Sequence, residues 1–582
     1  MRQVYLNEYG IPADNNALFF PYTSGLIQAY AQQSDIITNN YEFQPTIFTR
    51  DTVDHILKKY DNPSVAGFST YIWNYQLSLA VAQKLKEKFP GCLIIFGGPQ
   101  IEKNGTRFFK DNPFVDLCVY GEGEKLFSKT LIDLQENNQS LTRHQVLSQT
   151  DLNTNLDIFP SPYTAGVFDN LIKLYPEIRF KGLVEISRNC PFQCAYCCWG
   201  HEEFGKRVKY HSHKYVKEDA EWFGKNKIEY LFCTDGNFGM FKRDIKSAQI
   251  YSNTKKKYGF PKIFRVCFGK NSVDTIFETA SILNRASLAK SVSLSMQSQN
   301  SLVLKSINRH NIKHQTFEKL QQKYIDEGIT TYTELILGLP NETKQSFLDG
   351  IEKTLQDIKH NQILIYQCQV LKNTKLNSQQ YRDRYELSTT IRTLNEPHSI
   401  RRQLTDIPEY EEIITGTNTL TTQEWMECVV IAWTVQLFHS FKIANKLIPW
   451  LSKEYNIPQI DIYQSLIYSN LEEIKKFWYI VNTIFEGHSE SQYDIRFGSL
   501  NYEPEEMAFL DICCDKDKFY KELRQSLIDW IGNKNLVYNT NIDTLITTQK
   551  SNLPNVQDFE NLENFAIKTI IYGGKDNKTT DV

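Results

Sequence analysis

Four thiols fall within nine residues, at Cys190, Cys194, Cys197 and Cys198. Spacings of three and then two intervening residues let Cys190, Cys194 and Cys197 converge on one face of a tight loop, as a soft-metal or iron–sulfur site requires. Such a density is improbable for merely buried thiols. One candidate is zinc, with Cys198 or His201 as fourth ligand, although structural zinc sites usually pair two knuckles far apart in sequence. The other is a four-iron cluster held by three thiolates, whose remaining iron is open to a chelating small molecule. Cys198 falls outside the trio, and a tight loop points it away from the other three as a structural thiol.

The elements around the thiols set where they can act. Residues 183–187 alternate as a strand does, so the thiols sit on a loop leaving its carboxyl end. Further strand candidates at 228–232, 263–268, 291–295, 332–337 and 362–370 alternate with amphipathic helical stretches. This βα repetition predicts a parallel α/β barrel, complete or partial, with reactive groups at the carboxyl ends of its strands. At those ends lie Asp235 and Asn237, Gln297 and Ser298, and a stretch from Gly338 to Glu342 and Thr343.

Upstream, residues 1–160 read as a small doubly wound unit. Apolar runs at 65–69, 92–96 and 117–120 end in Ser69, in Gly97-Gly98-Pro99 and in Gly121-Glu122-Gly123-Glu124, with a helix between the first two. Small residues at the carboxyl ends of parallel strands describe a ligand crevice. The dinucleotide fingerprint and the phosphate-binding P-loop are both missing, so neither NAD nor ATP is signalled. A polar stretch from 136 to 155, followed by Pro160 and Pro162, predicts a linker. Beyond about 390 the periodicity is helical, and His439, among apolar neighbours, reads as a satisfied histidine rather than a ligand.

At 582 residues the chain exceeds one core, and 41% apolar with 23% charged residues is ordinary for a folded protein. A net charge of -3 argues against a general nucleic-acid or anionic-membrane binder. The most apolar run, 428–438, is too short to cross a bilayer and predicts a buried helix. With no visible export signal, the twelve cysteines read as reduced thiols or ligands, which points to the cytoplasm.

Cys-x3-Cys-x-Tyr-Cys after a first barrel strand resembles the radical S-adenosylmethionine (radical SAM) superfamily, with Cys190, Cys194, Tyr196 and Cys197 in register. The resemblance implies a 4Fe-4S cluster on the three cysteines. Its open iron would bind S-adenosylmethionine, which yields a 5′-deoxyadenosyl radical on reduction. It also places Tyr196 in the cofactor site, Asp235 and Asn237 near the methionine amino group, Gln297 and Ser298 near the ribose, and Gly338 to Glu342 behind the adenine. The N-terminal unit, with Ser69, Gly97, Gly98, Gly121 and Glu122, resembles the cobalamin-binding domain that precedes many such barrels. Its histidine signature for cobalt is missing, since residues 1–160 hold only His55 and His144. Cobalamin is therefore expected base-off, without a histidine ligand, against the 69–73 loop.

The expected fold is α/β: a Rossmann-like cobalamin-binding-type domain (1–160), a partial (β/α) radical SAM barrel (161–390) and a mostly helical C-terminal domain (391–582). The implied activity is cobalamin-dependent methylation of an unactivated carbon in a peptide or other natural product. An external electron donor of the flavodoxin or ferredoxin type is implied with it. A second reading is peptide Cα epimerisation, with Cys368 as hydrogen donor aimed inward by strand alternation. A non-catalytic zinc-loop scaffold is the reading from outside enzymology.

Overall fold

Continuous apolar runs such as 93–96 and 117–120 belong to strands buried on both faces, and they form such strands here. The computed structural model describes residues 1–136, 142–148, 155–200, 207–269, 273–289, 291–357, 362–402, 406–488 and 495–571. It divides into two compact units: residues 1–290 with 371–377 and 402–411, and residues 291–370 with 378–401 and 412–582.

The strands of the first unit are, in order, β1 (Arg2–Gly10), β2 (Ala17–Phe19), β3 (Tyr41–Phe43), β4 (Ile47–Thr49), β5 (Pro63–Ser69), β6 (Leu93–Gly97), β7 (Leu117–Tyr120) and β8 (Gln145–Ser148). They continue as β9 (Arg179–Val184), β10 (Ser187–Arg188), β11 (Lys209–Tyr210), β12 (Tyr230–Cys233) and β13 (Ile263–Arg265). A parallel sheet runs β3-β1-β5-β6-β7-β8, with β4 also on β1. Alternate residues feed its two cores. Tyr5, Phe68 and Phe96 meet Leu77, Val81 and Leu85 of the helix Tyr75–Lys88 on one side. Leu6, Ile95 and Val119 meet Phe127, Leu131 and Leu134 of the helix Glu124–Glu136 on the other.

A second parallel sheet runs β13-β12-β9-β2. The helices His213–Lys225 and Lys242–Tyr258 connect its later strands, and β10 pairs antiparallel with β11 beside it. The second unit carries the parallel set β14 (Ser291–Ser293), β15 (Thr330–Leu337) and β16 (Gln362–Gln367). A two-stranded sheet pairs β17 (Ser388–Thr393) with β18 (Tyr410–Gly416), and helices follow. The helix Thr422–Val435 starts in a capping box between Thr421 and Glu424 and is buried from Cys428 onward. Among the described residues no helix is long and apolar enough to cross a membrane.

All six strands expected for the barrel form, as two parallel sets of three. Three expectations change. The division between the units falls near 290 and coincides with neither 160 nor 390, because β2 pairs with β9 (Ala17 opposite Arg179) and so ties the N-terminal segment into the second sheet. Within the supposed linker, β8 pairs with β7, while 137–141 and 149–154 lie outside the described residues. The helical region begins at Thr422 rather than near 390, after β17 and β18.

The turn after β6 shows how the crevice edge is built. Thr70 donates to the Gly97 carbonyl from its N–H (2.7 Å) and its hydroxyl (2.8 Å). Gly98 then takes φ +106°, and a Cβ there would stand 2.5 Å from the Thr70 oxygen. Gly98→Ala is expected to lower unfolding free energy by about 2–3 kcal/mol, read from denaturant unfolding.

Candidate functional site

The cysteine loop is closed by its own backbone. Cys190 N–H donates to the Trp199 carbonyl and Cys197 N–H to the Cys194 carbonyl, both at 3.1 Å. Gly200 is required at the closure, since a Cβ would lie 1.5 Å from the Phe192 oxygen. Leu376 N–H donates to the Ala195 carbonyl at 2.9 Å, pinning the tip. Cys190 is buried, and Cys194, Tyr196, Cys197 and Cys198 are half-buried. Burial pushes the Cys197 thiol up to about 12, with Cys198, Cys194 and Cys190 nearby raising it further. Thiols that oppose one another's ionisation are relieved by a shared cation, which suits them as iron ligands. Among the described residues no trio of His, Cys, Asp or Glu is already gathered around a single-ion position, and His201 lies outside the described residues.

The loop after β12 grips the cysteine loop. Gly236 lies flat under the Trp199 indole, where a Cβ would come within 2.4 Å of the ring. Asn237 Nδ2 reaches Cys190 Sγ at 3.0 Å. Asp235, placed by resemblance near the methionine amino group, is committed elsewhere. Its Oδ1 accepts from the N–H groups of Ile186 and Ser187 (2.9 Å each), and its Oδ2 accepts from the Ser187 hydroxyl (2.5 Å). It is a tie between β12 and the strand end that feeds the thiols. Burial pushes its carboxyl up to about 7, although these donors pull the other way.

At the carboxyl ends of β5, β6 and β7 opens a cavity of about 440 Å³, its lining mostly apolar. Ser69, Gly97, Gly98, Gly121 and Glu122 all line it, as the sequence predicts. The buried Ser69 hydroxyl lies on this lining beside Tyr71. Tyr71 lines the wall with its ring stacked on Trp73 (4.4 Å, 7°), in the 69–73 loop expected to face cobalamin. Asn74 locks that loop, donating to the Ser69 and Tyr9 carbonyls and accepting from Tyr71 N–H. Glycines on one side, the Tyr71 ring on another and the Ser69 hydroxyl fit a broad planar ring. Cys198, outside the trio, lines this cavity beside Trp199.

Between the cavity and the thiols lies a buried charge network that sequence reading missed. Arg188 binds Glu185 through two nitrogens (2.8 Å each), Glu124 at 2.8 Å and Glu122 at 3.5 Å. Lys209, on β11, holds both oxygens of Glu122 at 2.7 and 2.9 Å. Glu122 therefore lines the cavity as a neutralised carboxylate. Burial raises the Glu185 carboxyl, but Arg188, His211 and Lys209 more than reverse this and hold it below its ordinary range. The only sequence trace is charge in four short segments (122–124, 185, 188 and 209), and nothing in their order says that they meet.

In the second unit, Ser298 donates to Glu342 Oε2 at 2.8 Å, and the Ser346 hydroxyl donates to the other oxygen. Glu342 is buried, and it holds the loops after β14 and β15 together. Gln297, at φ +63°, bridges to β15 through the N–H to Glu334 O and O to Ile336 N–H bonds. Gly338 takes φ +93° with Ile414 O in close approach. The structure thus gathers Gln297, Ser298, Gly338 and Glu342 in this unit, and gathers the thiols, Tyr196, Asp235, Asn237 and the cavity residues in the other. Cys368, expected to face inward as a hydrogen donor, is 2% exposed, with its N–H on the Leu337 carbonyl, and burial pushes its thiol up to about 12.

Residues 184–353 match the model of the Radical SAM superfamily, the class that a strand-end trio of thiols on a βα scaffold defines. The 2-(S-pantetheinyl)-carbapenam-3-carboxylate methyltransferase of Streptantibioticus cattleyicolor is 33% identical over 468 residues, which is 78% of this chain and 68% of that protein. The cobalamin-dependent radical SAM methyltransferase TokK of Streptomyces tokunonensis is 33% identical over 483 residues, 80% of this chain and 69% of its own. TsrM from Kitasatospora setae, a radical S-adenosylmethionine methyltransferase solved with cobalamin and a 4Fe-4S cluster, shares the fold. The match has a TM-score of 0.53 at 13% identity, over 75% of this chain and 89% of that one. The chain belongs to the cobalamin-dependent radical SAM methyltransferases. A 4Fe-4S cluster and S-adenosylmethionine are the cofactors of its radical SAM domain.

Two outcomes follow from this geometry. Arg188→Met leaves Glu185 and Glu124 without their guanidinium partner, while Lys209 still holds Glu122, and is expected to cost about 3–5 kcal/mol in denaturant unfolding; adding Glu185→Leu is expected to recover part of the loss. The Asp235 carboxyl titrates near 3.8 when unfolded and near 7 when folded, so its contribution is fully favourable below about 4. That contribution is lost as pH rises through 7, by about 1.4 kcal/mol per pH unit. Comparing apoprotein unfolding from pH 4 to 8 should show a shallower decline in Asp235→Asn than in wild type, since the Glu8, Asp219, Asp244 and Glu473 carboxyls, also raised by burial, keep part of the slope in both.

Proposed function

We propose that this chain methylates an unactivated carbon of a natural-product substrate, using cobalamin together with S-adenosylmethionine. The observation that carries the reading is the wall of the cavity. Cys198 and Trp199, which follow directly on the third thiol, line the same space as Ser69, Gly97 and Gly121 at the sheet's edge. A corrinoid in that space and a cluster on the thiols would share one wall. When bound, these groups supply a hydrogen-abstracting 5′-deoxyadenosyl radical and a transferable methyl group.

The protein's own residues hold and orient. Cys190, Cys194 and Cys197 are the thiolate donors, and the closed 190–200 loop fixes their spacing. Gly97, Gly98 and Gly121 let a flat ring lie close to backbone, Ser69 offers a hydroxyl, and Tyr71, backed by Trp73, gives an aromatic face where no histidine stands. The Arg188 network keeps three carboxylates neutralised beside that ring. In the second unit, Glu342 positions Ser298 through a hydrogen bond.

For the substrate, the name of the Streptantibioticus relative supports a small molecule ahead of a peptide. A low-potential flavodoxin or ferredoxin as electron donor and a cytoplasmic setting complete the reading. The methyltransferase relatives favour methylation over epimerisation.

The test is anaerobic reconstitution with iron, sulfide and hydroxocobalamin, followed by turnover with methyl-deuterated S-adenosylmethionine on small-molecule and peptide candidates. A corrinoid absorption spectrum that survives desalting and a product carrying one labelled methyl are expected. Alanine at Cys190, Cys194 or Cys197 is expected to abolish cluster loading and turnover, and Cys368→Ala to leave methylation intact. A protein that retains no corrinoid and epimerises its substrate only when Cys368 is present would overturn the proposal.

A further inference from the structure

Asn237 is held more firmly than a residue that merely awaits a ligand needs to be. Met240 N–H donates to its carbonyl (3.2 Å), Phe238 N–H donates to Cys267 O (2.9 Å) and Gly269 N–H to Phe238 O (2.9 Å). Asp244 Oδ2 accepts from the N–H groups of Gly239 and Phe241 at 3.0 Å each, which shapes the rest of the turn. The neighbouring Gly236 is pressed under Trp199, and Gly269 leaves no room for a side chain beside Asn237. What this framework aims is the Asn237 amide, whose Nδ2 stands 3.0 Å from Cys190 Sγ. The chemistry of the contact fixes which edge of the amide faces the sulfur. An amide oxygen would set lone pairs against a thiolate, whereas the NH2 edge donates to it.

We propose that Asn237 is a positioning residue for the cluster: its side-chain N–H donates to the Cys190 thiolate, raises the reduction potential and makes the reduced, electron-donating state easier to reach. This rests on the reading of Cys190 as a cluster ligand. A hydrogen bond to a coordinating sulfur draws off negative charge, and it stabilises the reduced cluster, which carries one more electron, more than the oxidised one. Because the donor sits on the loop after β12 and the ligand on the loop after β9, the bond also sets the distance between two strand ends paired through Val184 and Cys233.

The experiment is an anaerobic redox titration of the reconstituted cluster, followed by electron paramagnetic resonance in the absence of S-adenosylmethionine. Wild type, Asn237→Ala and Asn237→Leu are compared at equal iron and sulfide content. Leucine fills the amide's volume without a donor, so it carries the test if alanine loosens the loop. A more negative midpoint potential in the variants is expected, together with higher iron–thiolate stretching frequencies by resonance Raman. Potentials equal to wild type would overturn the proposal. So would a shift seen only with S-adenosylmethionine present, which would make Asn237 a contact of that cofactor instead. If wild type itself assembles no 4Fe-4S cluster, the reading of Cys190 falls, and Asn237 is not at fault.

Discussion

Everything in the first unit depends on burying three carboxylates where a sheet edge meets a metal-binding loop. Glu122 and Glu124 come from the turn after β7, and Glu185 comes from the end of β9. Isolated in an apolar setting, each would be driven to protonate or to leave for water. The guanidinium of Arg188 and the ammonium of Lys209 answer them at short range, and the fork of Arg188 satisfies Glu185 and Glu124 at once. Such a network adds little net stability over apolar side chains, but it tolerates only one arrangement of its members. Two residues after Arg188 the chain reaches Cys190, so the charge register is also the register of the thiols.

The crevice and the cysteine loop are thus not two sites placed side by side. The period-two burial of β5, β6 and β7 sends apolar side chains into two cores and leaves their last residues small. Those ends become a floor. Cys198 and Trp199 close the space from the other side because the loop that presents three sulfurs must return along its own path, with Cys190 bonded to Trp199. Folding of the loop and completion of the cavity wall are one event.

Much of this was legible in the residues alone. The cysteine spacing, the six barrel strands, the three strand ends with glycine and serine, and the buried helix after 422 all carry local signals: periodicity, punctuation and motif. What escaped was non-local or short. β2 is three residues long and gives no period of its own; only its pairing with β9 makes it a strand. β8 (Gln145–Ser148) has only two apolar residues inside a polar stretch that reads as linker, and the edge of β7 recruits it. That Cys198 would line the cavity was not legible either, because the sequence shows it only as a thiol outside the trio. The Arg188 network was invisible, since charges in four separate segments look like solvated surface until the fold collects them. Asp235 and Glu342 were noticed for their positions, but the structure uses each to brace the loops around it.

The pairing of Ala17–Phe19 with Arg179–Val184 bears on how this architecture can be taken apart. A chimera that exchanged the N-terminal domain at 160 would carry β2 away and leave β9 with a bare edge, ready to pair with a neighbouring molecule. The cobalamin-type domain is contiguous in sequence but not separable in hydrogen bonding. Recombination, whether in the laboratory or in evolution, is therefore better tolerated when residues 1–290 travel together than when the domains are shuffled as modules.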